Sequence, residues 1–352
     1  MSGIGIHSVY PLKQFRVTNG PLVDVRSPSE FSQGHYPGSI NLPLFSDEER
    51  KEVGKTYKKA GREKAILLGL KYTGPKMERL ASSLLKIART EGITTKGNHP
   101  NQIRIYCWRG GMRSSSMAWL AELIDLNPIL LNGGYKSYRN WALEQFGKSF
   151  SLKLIGGRTG TGKTDLLIAL EKQGEAVIDL EGVANHRGSS FGGFGLPKQP
   201  TSEQFENLLA EELQKCIDKQ ATKIWLEDES ANLGLCRIPH LLFQQMKKAP
   251  ILEITRTEKE RIEKLVEVYS HFGKHSLEEA TLRIARRLGP QRTSRAIASI
   301  HEEDWAEACK EIINYYDRCY DHQLDNAPSR ISINVSGLNP TKAAKKLLLE
   351  TI

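Results

Sequence analysis

The feature that most constrains this 352-residue chain is a glycine-rich segment of eight residues near its middle. It fits G-x-x-x-x-G-K-[ST] at every defined position and lies between a predicted strand, 152–155, and a predicted helix, 164–172. Its residues are Gly157, Arg158, Thr159, Gly160, Thr161, Gly162, Lys163 and Thr164. Glycines allow backbone N–H groups to surround phosphate oxygens, the lysine neutralises phosphate charge, and the hydroxyl holds Mg²⁺ at a helix N-terminus. The segment therefore predicts a phosphate-binding loop in an α/β domain, rather than an ordinary glycine-rich turn.

A later strand end carries a group of acidic residues. The predicted strand 223–226 runs into the sequence EDES at 227–230. In proteins with a phosphate-binding loop, an acid at this place holds Mg²⁺ or its water shell. We therefore expect Thr164 and Asp228 to be magnesium ligands. The alternative is a group of solvated acids at an ordinary strand end.

Strand and helix patterns alternate along the whole chain. Residues 1–150 show strands at 22–26, 103–107 and 129–131, helices at 76–90, 114–126 and 135–146, and a polar loop at 94–100. The second half adds strands at 176–180, 223–226, 251–255 and 331–335. It also adds a helix at 202–219 capped by Thr201 and Gln204, a helical stretch over about 258–320, and a terminal helix that begins at Pro340. This alternation predicts two α/β domains, 1–147 and 148–352, of which the second contains a helical subdomain.

Composition and charge narrow the class of protein. The chain has 39% hydrophobic and 26% charged residues, no apolar run long enough for a membrane span, and no signal-peptide pattern at its start. Five cysteines without a C-x-x-C pair fit neither a disulfide framework nor a zinc site, which favours a cytoplasmic protein. Residues 1–150 hold 22 basic and 12 acidic side chains, against 28 and 29 in residues 151–352. This asymmetry indicates either a polyanionic partner or a surface that serves solubility.

A cysteine stands where a predicted strand turns into a glycine-rich loop. Cys107 begins the sequence CWRGGMRS, which leads into the next predicted helix. Loop N–H groups, the helix N-terminus and Arg113 would favour an anion at the sulfur and lower the pKa of the thiol. We therefore predict that Cys107, Arg109 and Arg113 are catalytic. The alternative for Cys107 is a buried structural cysteine.

The C-x₅-R spacing of this loop is also that of cysteine-dependent phosphatases, in which a thiolate attacks phosphorus. Phosphatases usually place a histidine before the cysteine, where this chain has Tyr106. The following segment also lacks an obvious general-acid aspartate. A cysteine-dependent phosphatase or sulfurtransferase fused to an NTPase or kinase-like domain is therefore the alternative function.

Two early segments resemble the opening of a rhodanese domain. They are LVDVRSPSEF at 22–31 and GHYPGSINLP at 34–43, and the Cys107 loop then corresponds to the rhodanese active loop. Most rhodaneses have four residues between the cysteine and the arginine, whereas this loop has five. A rhodanese-like parallel-sheet domain followed by a P-loop NTPase-like α/β domain with a helical insertion resembles the tRNA 2-selenouridine synthase family. Further matching segments lie at 133–136, 179–182, 186–189, 191–192, 226–230 and 286–289.

This resemblance implies a tRNA-modifying transferase. Such an enzyme replaces sulfur by selenium at wobble 2-thiouridine, with selenophosphate as the selenium donor and S-geranyl-2-thiouridine, made from geranyl diphosphate, as the intermediate. It implies that Cys107 is the nucleophile and that Lys163, Thr164 and Mg²⁺ stabilise the diphosphate. The implied partners are tRNA and an enzyme that supplies selenophosphate. Some relatives have a second cysteine where Tyr106 stands, so no resolving thiol is assigned. A regulatory nucleotide-binding module with a sulfur-sensing rhodanese domain remains a further alternative.

A glycine-rich segment in the second half is a candidate lid. It is basic at one end and aromatic, and we predict that His186, Arg187 and Phe191 contact the substrate as the segment 187–195 closes. The alternative is a disordered surface loop.

A predicted helical stretch, 281–300, carries arginines and no acidic residue. Arg283, Arg286 and Arg287 fall at three- and four-residue spacings and would share one helix face. We predict that they contact tRNA phosphates. The alternatives are a solvated face paired with the acids at 302–304 and an RNA site on the lysine-rich stretch 51–64.

Overall fold

The chain divides between Glu144 and Gln145 into two α/β units. This division lies close to the predicted boundary at residue 147. The computed structural model describes residues 7–92, 101–324 and 330–350. The predicted polar loop at 94–100 lies outside the described residues.

The first unit is built on a five-stranded parallel sheet in the order β1-β5-β4-β2-β3. Its strands are β1 (Ser8–Tyr10), β2 (Leu22–Asp24), β3 (Ile40–Asn41), β4 (Gln102–Tyr106) and β5 (Asn127–Leu131). Its helices are α1 (Leu12–Arg16), α2 (Pro28–Gln33), α3 (Asp47–Thr73), α4 (Met77–Gly92), α5 (Met112–Glu122) and α6 (Gly134–Gln145), with a 3₁₀ turn at Gly74–Lys76. All six elements predicted for this half are present, although the helix expected at 114–126 begins and ends earlier, as α5.

Apolar strands place the core of this unit on both faces of the sheet, as expected for parallel strands. Val23, Ile103, Ile105 and Leu130 are buried in it together with Met117 from α5. Because β4 lies in the middle of the sheet, the loop that follows it begins at the carboxyl edge, where parallel α/β sheets carry their ligand sites.

The second unit has a five-stranded parallel sheet in the order β12-β11-β6-β8-β7 and a short antiparallel hairpin. Its strands are β6 (Leu152–Gly156), β7 (Ala176–Ile178), β8 (Ile224–Glu227), β9 (Asn232–Leu233), β10 (Cys236–Arg237), β11 (Ile251–Thr255) and β12 (Arg330–Asn334). Its helices are α7 (Lys163–Glu171), α8 (Leu180–Ala184), α9 (Ser202–Asp218), α10 (His240–Met246), α11 (Glu258–Tyr269), α12 (Lys274–Leu288), α13 (Pro290–His301), α14 (Trp305–Leu324) and α15 (Pro340–Leu349), with a 3₁₀ turn at Ser270–Phe272.

Helices α11 to α14 form the predicted helical insertion between the last two strands of this sheet. The helical stretch expected at 281–300 is present as the end of α12 and most of α13, which Gly289, with a φ of 93°, separates before Pro290 begins the next helix. The predicted helix caps are present: Gln204 N–H donates to Thr201 Oγ1, and Pro340 is the first residue of α15 after its cap Asn339. No helix in the described ranges is long and apolar enough to cross a membrane.

Candidate active sites

The thiol of Cys107 lies at the first turn of α5. Gly111 N–H donates to Cys107 Sγ over 3.4 Å, and Ser114 Oγ lies 3.2 Å from the same sulfur. Burial opposes ionisation of the thiol, but hydrogen bonding from Ser114 and the charge of Arg113 outweigh it and lower the pKa of Cys107. The loop therefore favours a thiolate, which is the nucleophilic form.

The two arginines predicted to be catalytic differ in their placement. Arg113 is partly buried, and its Nη1 lies 2.6 Å from Glu30 Oε2. Burial raises the pKa of Glu30, but its bond with Arg113 outweighs this, and the pKa is lowered. Glu30 also lies 3.7 Å from Arg50 Nε at the start of α3. Arg109 is exposed in the loop, beside the exposed Trp108.

The segment 133–136 supports the cysteine loop through backbone hydrogen bonds. Tyr135 N–H donates to the Cys107 carbonyl over 2.8 Å, and Lys136 N–H donates to the Trp108 carbonyl. Gly134 has a φ of 58°, and a Cβ there would lie 2.3 Å from the Cys107 carbonyl oxygen. Only glycine therefore allows the two backbone segments to approach this closely.

A buried cluster of aromatic side chains lies under the cysteine loop. The sequence pattern did not predict this cluster. Arg26 pairs with Asp24 at 2.7 Å with neither side chain exposed, and its guanidinium lies 3.9 Å from the centre of the Tyr135 ring. Tyr36 N–H donates to Tyr106 Oη over 3.1 Å. Tyr106 is therefore a structural residue of this cluster.

The phosphate-binding loop has the backbone that its glycines predict. Gly157, Gly160 and Gly162 have φ values of 148°, 84° and 83°, which L-residues with a side chain rarely adopt. Lys163 Nζ donates to the Gly157 carbonyl over 3.1 Å, so the side chain folds back across the loop. Thr164 Oγ1 donates to Glu227 Oε1 over 2.7 Å.

The same hydroxyl lies 3.3 Å from Glu181 Oε2, and Glu229 joins Glu181 and Glu227 in a group of three carboxylates that does not include Asp228. Oxygens of Glu181, Glu227 and Glu229 all lie within 4.8 Å of one another. Burial raises the pKa of Glu229 to about 8, with Lys163 opposing the shift, and it raises the pKa values of Glu181 and Glu227 as well. Among the described residues, Glu227 Oε2 is buried without a hydrogen-bond partner. Glu181, Glu227 and Glu229 thus form one group of carboxylates, and Asp228 lines the same cleft as Thr164, Glu181 and Glu229 without belonging to that group.

The cleft around the loop adjoins an apolar cavity in the helical subdomain. The cleft has a volume of about 740 Å³ and the cavity one of about 60 Å³, and both open to solvent. Both are lined by Thr159, Leu265 and Tyr269, so they meet directly at the phosphate-binding loop. The cavity is lined by apolar side chains of four helices, α11 to α14, including Ile300 and Trp305.

One buried arginine ties the phosphate-binding loop to this subdomain. Arg261 Nε donates to the Thr159 carbonyl over 2.8 Å, and its Nη1 donates to Asp317 on α14 over 2.9 Å. A Cβ on Gly160 would lie 2.7 Å from the Arg261 carbonyl oxygen. The loop and α14 are therefore held by the same side chain.

The predicted lid is an ordered segment anchored on the helical subdomain. Phe191 is 7% exposed and packs in a core with Leu277 and Ile284. Arg187 Nη1 donates to the Phe194 carbonyl over 2.8 Å, and Arg187 also lines the cleft. Phe191 is therefore a core residue as well as part of the cavity wall.

His186 lies where this segment begins. Its Nδ1 accepts from Gly188 N–H over 3.2 Å, and burial lowers the pKa of the imidazole. His186 therefore supports the turn that carries Arg187 to the cleft.

The three arginines predicted to bind RNA lie exposed on α12. Arg283 Nη2 donates to the Ser190 carbonyl over 3.0 Å, and Arg287 lines the cleft. Arg283 thus holds the segment around Phe191, whereas Arg286 and Arg287 remain on the surface of the helix.

A reactive-cysteine loop on one parallel sheet and a phosphate-binding loop on another define an enzyme that joins a rhodanese-like domain to a phosphate-binding domain. Residues 11–140 match the model of the rhodanese-like domain, and residues 150–344 match that of the tRNA 2-selenouridine synthase AAA domain. The chain belongs to the tRNA 2-selenouridine synthase family.

Curated relatives match along nearly the whole chain. A tRNA 2-selenouridine synthase of Sulfurovum sp. (strain NBC37-1) is 37% identical, over 90% of this chain and 92% of that protein. The enzymes of the same name from Hydrogenovibrio crunogenus and Bordetella bronchiseptica are 34% and 33% identical, over 90% and 89% of this chain and 92% and 90% of their own lengths.

Proposed function

We propose that this enzyme converts wobble 2-thiouridine of tRNA to 2-selenouridine in two steps. The first step forms S-geranyl-2-thiouridine from geranyl diphosphate in the phosphate-binding unit. In the second, the Cys107 thiolate displaces geranylthiol from C2 of the uridine, selenophosphate then displaces Cys107 through its selenium, and water cleaves the Se–P bond to release phosphate. The observation that carries the proposal is the apolar cavity that opens at the phosphate-binding loop.

This juxtaposition suits a ligand with a charged head and an apolar chain. The N–H groups of the loop and Lys163 suit a diphosphate, as they would suit a nucleotide. The adjoining walls offer side chains such as Leu265, Ile300 and Trp305, which suit a branched hydrocarbon. Loss of diphosphate from the geranyl carbon requires stabilisation of the developing negative charge, which Lys163 can provide.

The group of three carboxylates beside Thr164 fits a magnesium ion. Mg²⁺ prefers oxygen ligands, and Glu181, Glu227 and Glu229 provide them beside the threonine hydroxyl. The unpartnered Glu227 Oε2 is the kind of buried oxygen that a cation would satisfy. When bound, Mg²⁺ supplies positive charge to the diphosphate.

The cavity allows a direct test of the prenyl step. Ala308 lines it, and Ala308→Trp should fill part of the space that the chain needs. We expect the KM for geranyl diphosphate to rise at least about tenfold, while binding of a fluorescent nucleotide or inorganic diphosphate to the loop changes little. An unchanged KM in a folded variant would contradict this placement of the chain.

The overall activity is tested in cells. Nucleoside mass spectrometry of tRNA from a deletion strain should show loss of both selenouridine and geranylated thiouridine, and the wild-type gene should restore both. If the purified protein instead hydrolyses p-nitrophenyl phosphate in a Cys107-dependent way without modifying tRNA, it is a phosphatase.

A further inference from the structure

Helix α3 is unusually exposed for its length. It spans 27 residues, yet only Ala65 and Gly69 are fully buried, and every side chain from 57 to 64 is exposed. Gly61, with a φ of 86° and a ψ of −179°, interrupts the helical backbone and bends the element. Helices in proteins owe most of their stability to burial of an apolar face, so packing alone does not explain this one.

The exposed part of α3 carries charge of almost one sign. We call residues 51–64 the basic arm. Its basic side chains are Lys51, Lys55, Lys58, Lys59, Arg62 and Lys64, and all six are exposed. Within the described parts of the chain, none of them forms an ion pair with a carboxylate. Glu52 and Glu63 stand three and four residues from Lys55 and Lys59, the spacings at which helical ion pairs form, yet the described structure shows neither pair.

The two ends of α3 differ in whether their charged side chains are paired. At the root, Arg50 lies 3.7 Å from Glu30, and Lys76 of the following turn lies 2.5 Å from Glu49. Glu52, the first acid of the basic arm, accepts a hydrogen bond from Tyr72. The root charges are thus paired internally. In the arm Glu52 is bonded to Tyr72, and the six basic side chains face solvent.

The root of α3 lies beside the cysteine loop. Glu30 contacts both Arg50, in the first turn of α3, and Arg113, whose charge stabilises the Cys107 thiolate. The helical segment before Gly61 extends roughly 20 Å from this root. The basic arm therefore leads from the neighbourhood of the thiolate outward along a path long enough to follow several successive phosphates of one strand.

We propose that the basic arm binds the ribose-phosphate backbone of tRNA next to the nucleotide that enters the Cys107 site. The identity of the RNA rests on the proposed function. Unpaired lysines recognise phosphates without reading bases, and the exposed Tyr57 offers a ring on which a base can stack. A membrane surface is a less suitable partner, because Leu67 and Leu70, the most exposed apolar residues of α3, lie beyond the charged stretch.

The salt dependence of tRNA binding tests this assignment. Lys55, Lys58, Lys59 and Arg62 would be replaced together by Gln in the full chain. The matched control replaces the exposed Lys172, Lys247, Lys248 and Lys345 of the other unit by Gln and removes the same charge. We expect the arm variant to reduce the slope of log affinity against log salt by about 3 units and the control to leave it unchanged, since each lost phosphate contact removes roughly 0.7 to 0.9 of a unit.

The possible outcomes separate the arm from the proposed function. Wild-type protein that binds no tRNA would overturn both. Wild-type protein that binds tRNA, with equal slopes for the arm variant and the control, would overturn the arm alone.

A photocrosslink gives a second, independent measurement. Benzoylphenylalanine in place of Lys59 should crosslink to the strand next to the wobble nucleotide, and in place of Lys247 it should not. Crosslinks confined to another part of the tRNA would overturn the proposal. So would arm-dependent sedimentation with phosphatidylserine vesicles without a tRNA crosslink.

Discussion

The cysteine loop and the phosphate-binding loop have similar backbone arrangements, but the charged groups that neighbour their key side chains have opposite signs. Each follows a central parallel strand, β4 or β6, and leads into a helix; Gly110 has a positive φ in the first loop, and Gly157, Gly160 and Gly162 have positive φ values in the second. At Cys107 the neighbouring charge is the cation of Arg113, and the pKa of the thiol is lowered. At Lys163 the neighbours are carboxylates whose pKa values are raised. In the proposed function, the same loop architecture serves a covalent nucleophile in one unit and a site for a cation with a phosphate ligand in the other.

The largest effect should come from removing the nucleophile. We expect Cys107→Ala to abolish selenium incorporation and leave geranylation of thiolated tRNA largely intact, because the thiolate serves only the selenium step. Nucleoside mass spectrometry after each half-reaction measures both, and Cys107→Ser controls for the lost volume. A folded variant, as judged by circular dichroism, that loses both activities would show that the two sites do not act separately.

Removing the lysine should have the converse effect. We expect Lys163→Ala to lower the rate of geranyl transfer at least about tenfold, since one lost charged contact is worth roughly 1.5–3 kcal/mol. Lys172→Ala, at the exposed end of the same helix, is the control. Geranyl diphosphate should also displace a fluorescent nucleotide from the loop. An unchanged transfer rate, or failure to compete, would favour an NTPase.

The raised pKa of Glu229 predicts a pH-dependent stability. Because this pKa is about 8 in the folded protein against 4.5 ordinarily, the folded state holds a proton that the unfolded state has lost between these values. The free energy of unfolding without Mg²⁺ should therefore fall as the pH rises from about 5 to 8. Thermal unfolding should show this decrease for the wild type and for Glu171→Gln, and a smaller one for Glu229→Gln or after addition of Mg²⁺. A Glu229→Gln variant as pH-sensitive as the wild type would contradict the prediction.

The smallest effect is expected at α12. Replacing Arg283, Arg286 and Arg287 by Gln should reduce the salt slope of tRNA binding by at most about 2 units and weaken all tRNAs alike. The bond from Arg283 to Ser190 makes this an upper limit, because that guanidinium already has an internal role. A salt series over several tRNA transcripts measures it. A slope equal to that of the wild type would place the RNA away from α12.

Local patterns predicted the two loops and most of the sheets. The strands carry continuous apolar runs, and the phosphate-binding motif fixes its own strand, turn and helix, so β6, α7 and the loop lie where expected. Short or polar elements such as β3 and α3 lack an apolar period, and the sequence gives no signal for them. Phe191 looked like a lid residue because nothing in the segment 187–195 reveals that α12 covers its ring.

The carboxylate group could not be derived from spacing. Glu181 follows β7 and Glu227 ends β8, and only the parallel pairing of these strands brings them together. The predicted strand ended at residue 226, whereas β8 includes Glu227. Because side chains alternate along a strand, such a shift of one residue exchanges the side chain that faces the loop, and Glu227 is the residue that accepts from Thr164. Binding of Mg²⁺ by Asp228 stays a prediction.

The buried guanidinium of Arg261 has a consequence for ligands that occupy both the cleft and the cavity. It joins the carbonyl of Thr159, on the phosphate-binding loop, to Asp317 on a helix of the cavity wall. In the proposed function, we expect a head group that orders the loop to order the wall around the tail as well, so that the two halves of one molecule bind with a favourable coupling energy that separate fragments lack. The enzyme would thus discriminate against free inorganic diphosphate and against free terpenoid alcohols by the same contact, without a residue dedicated to rejecting either.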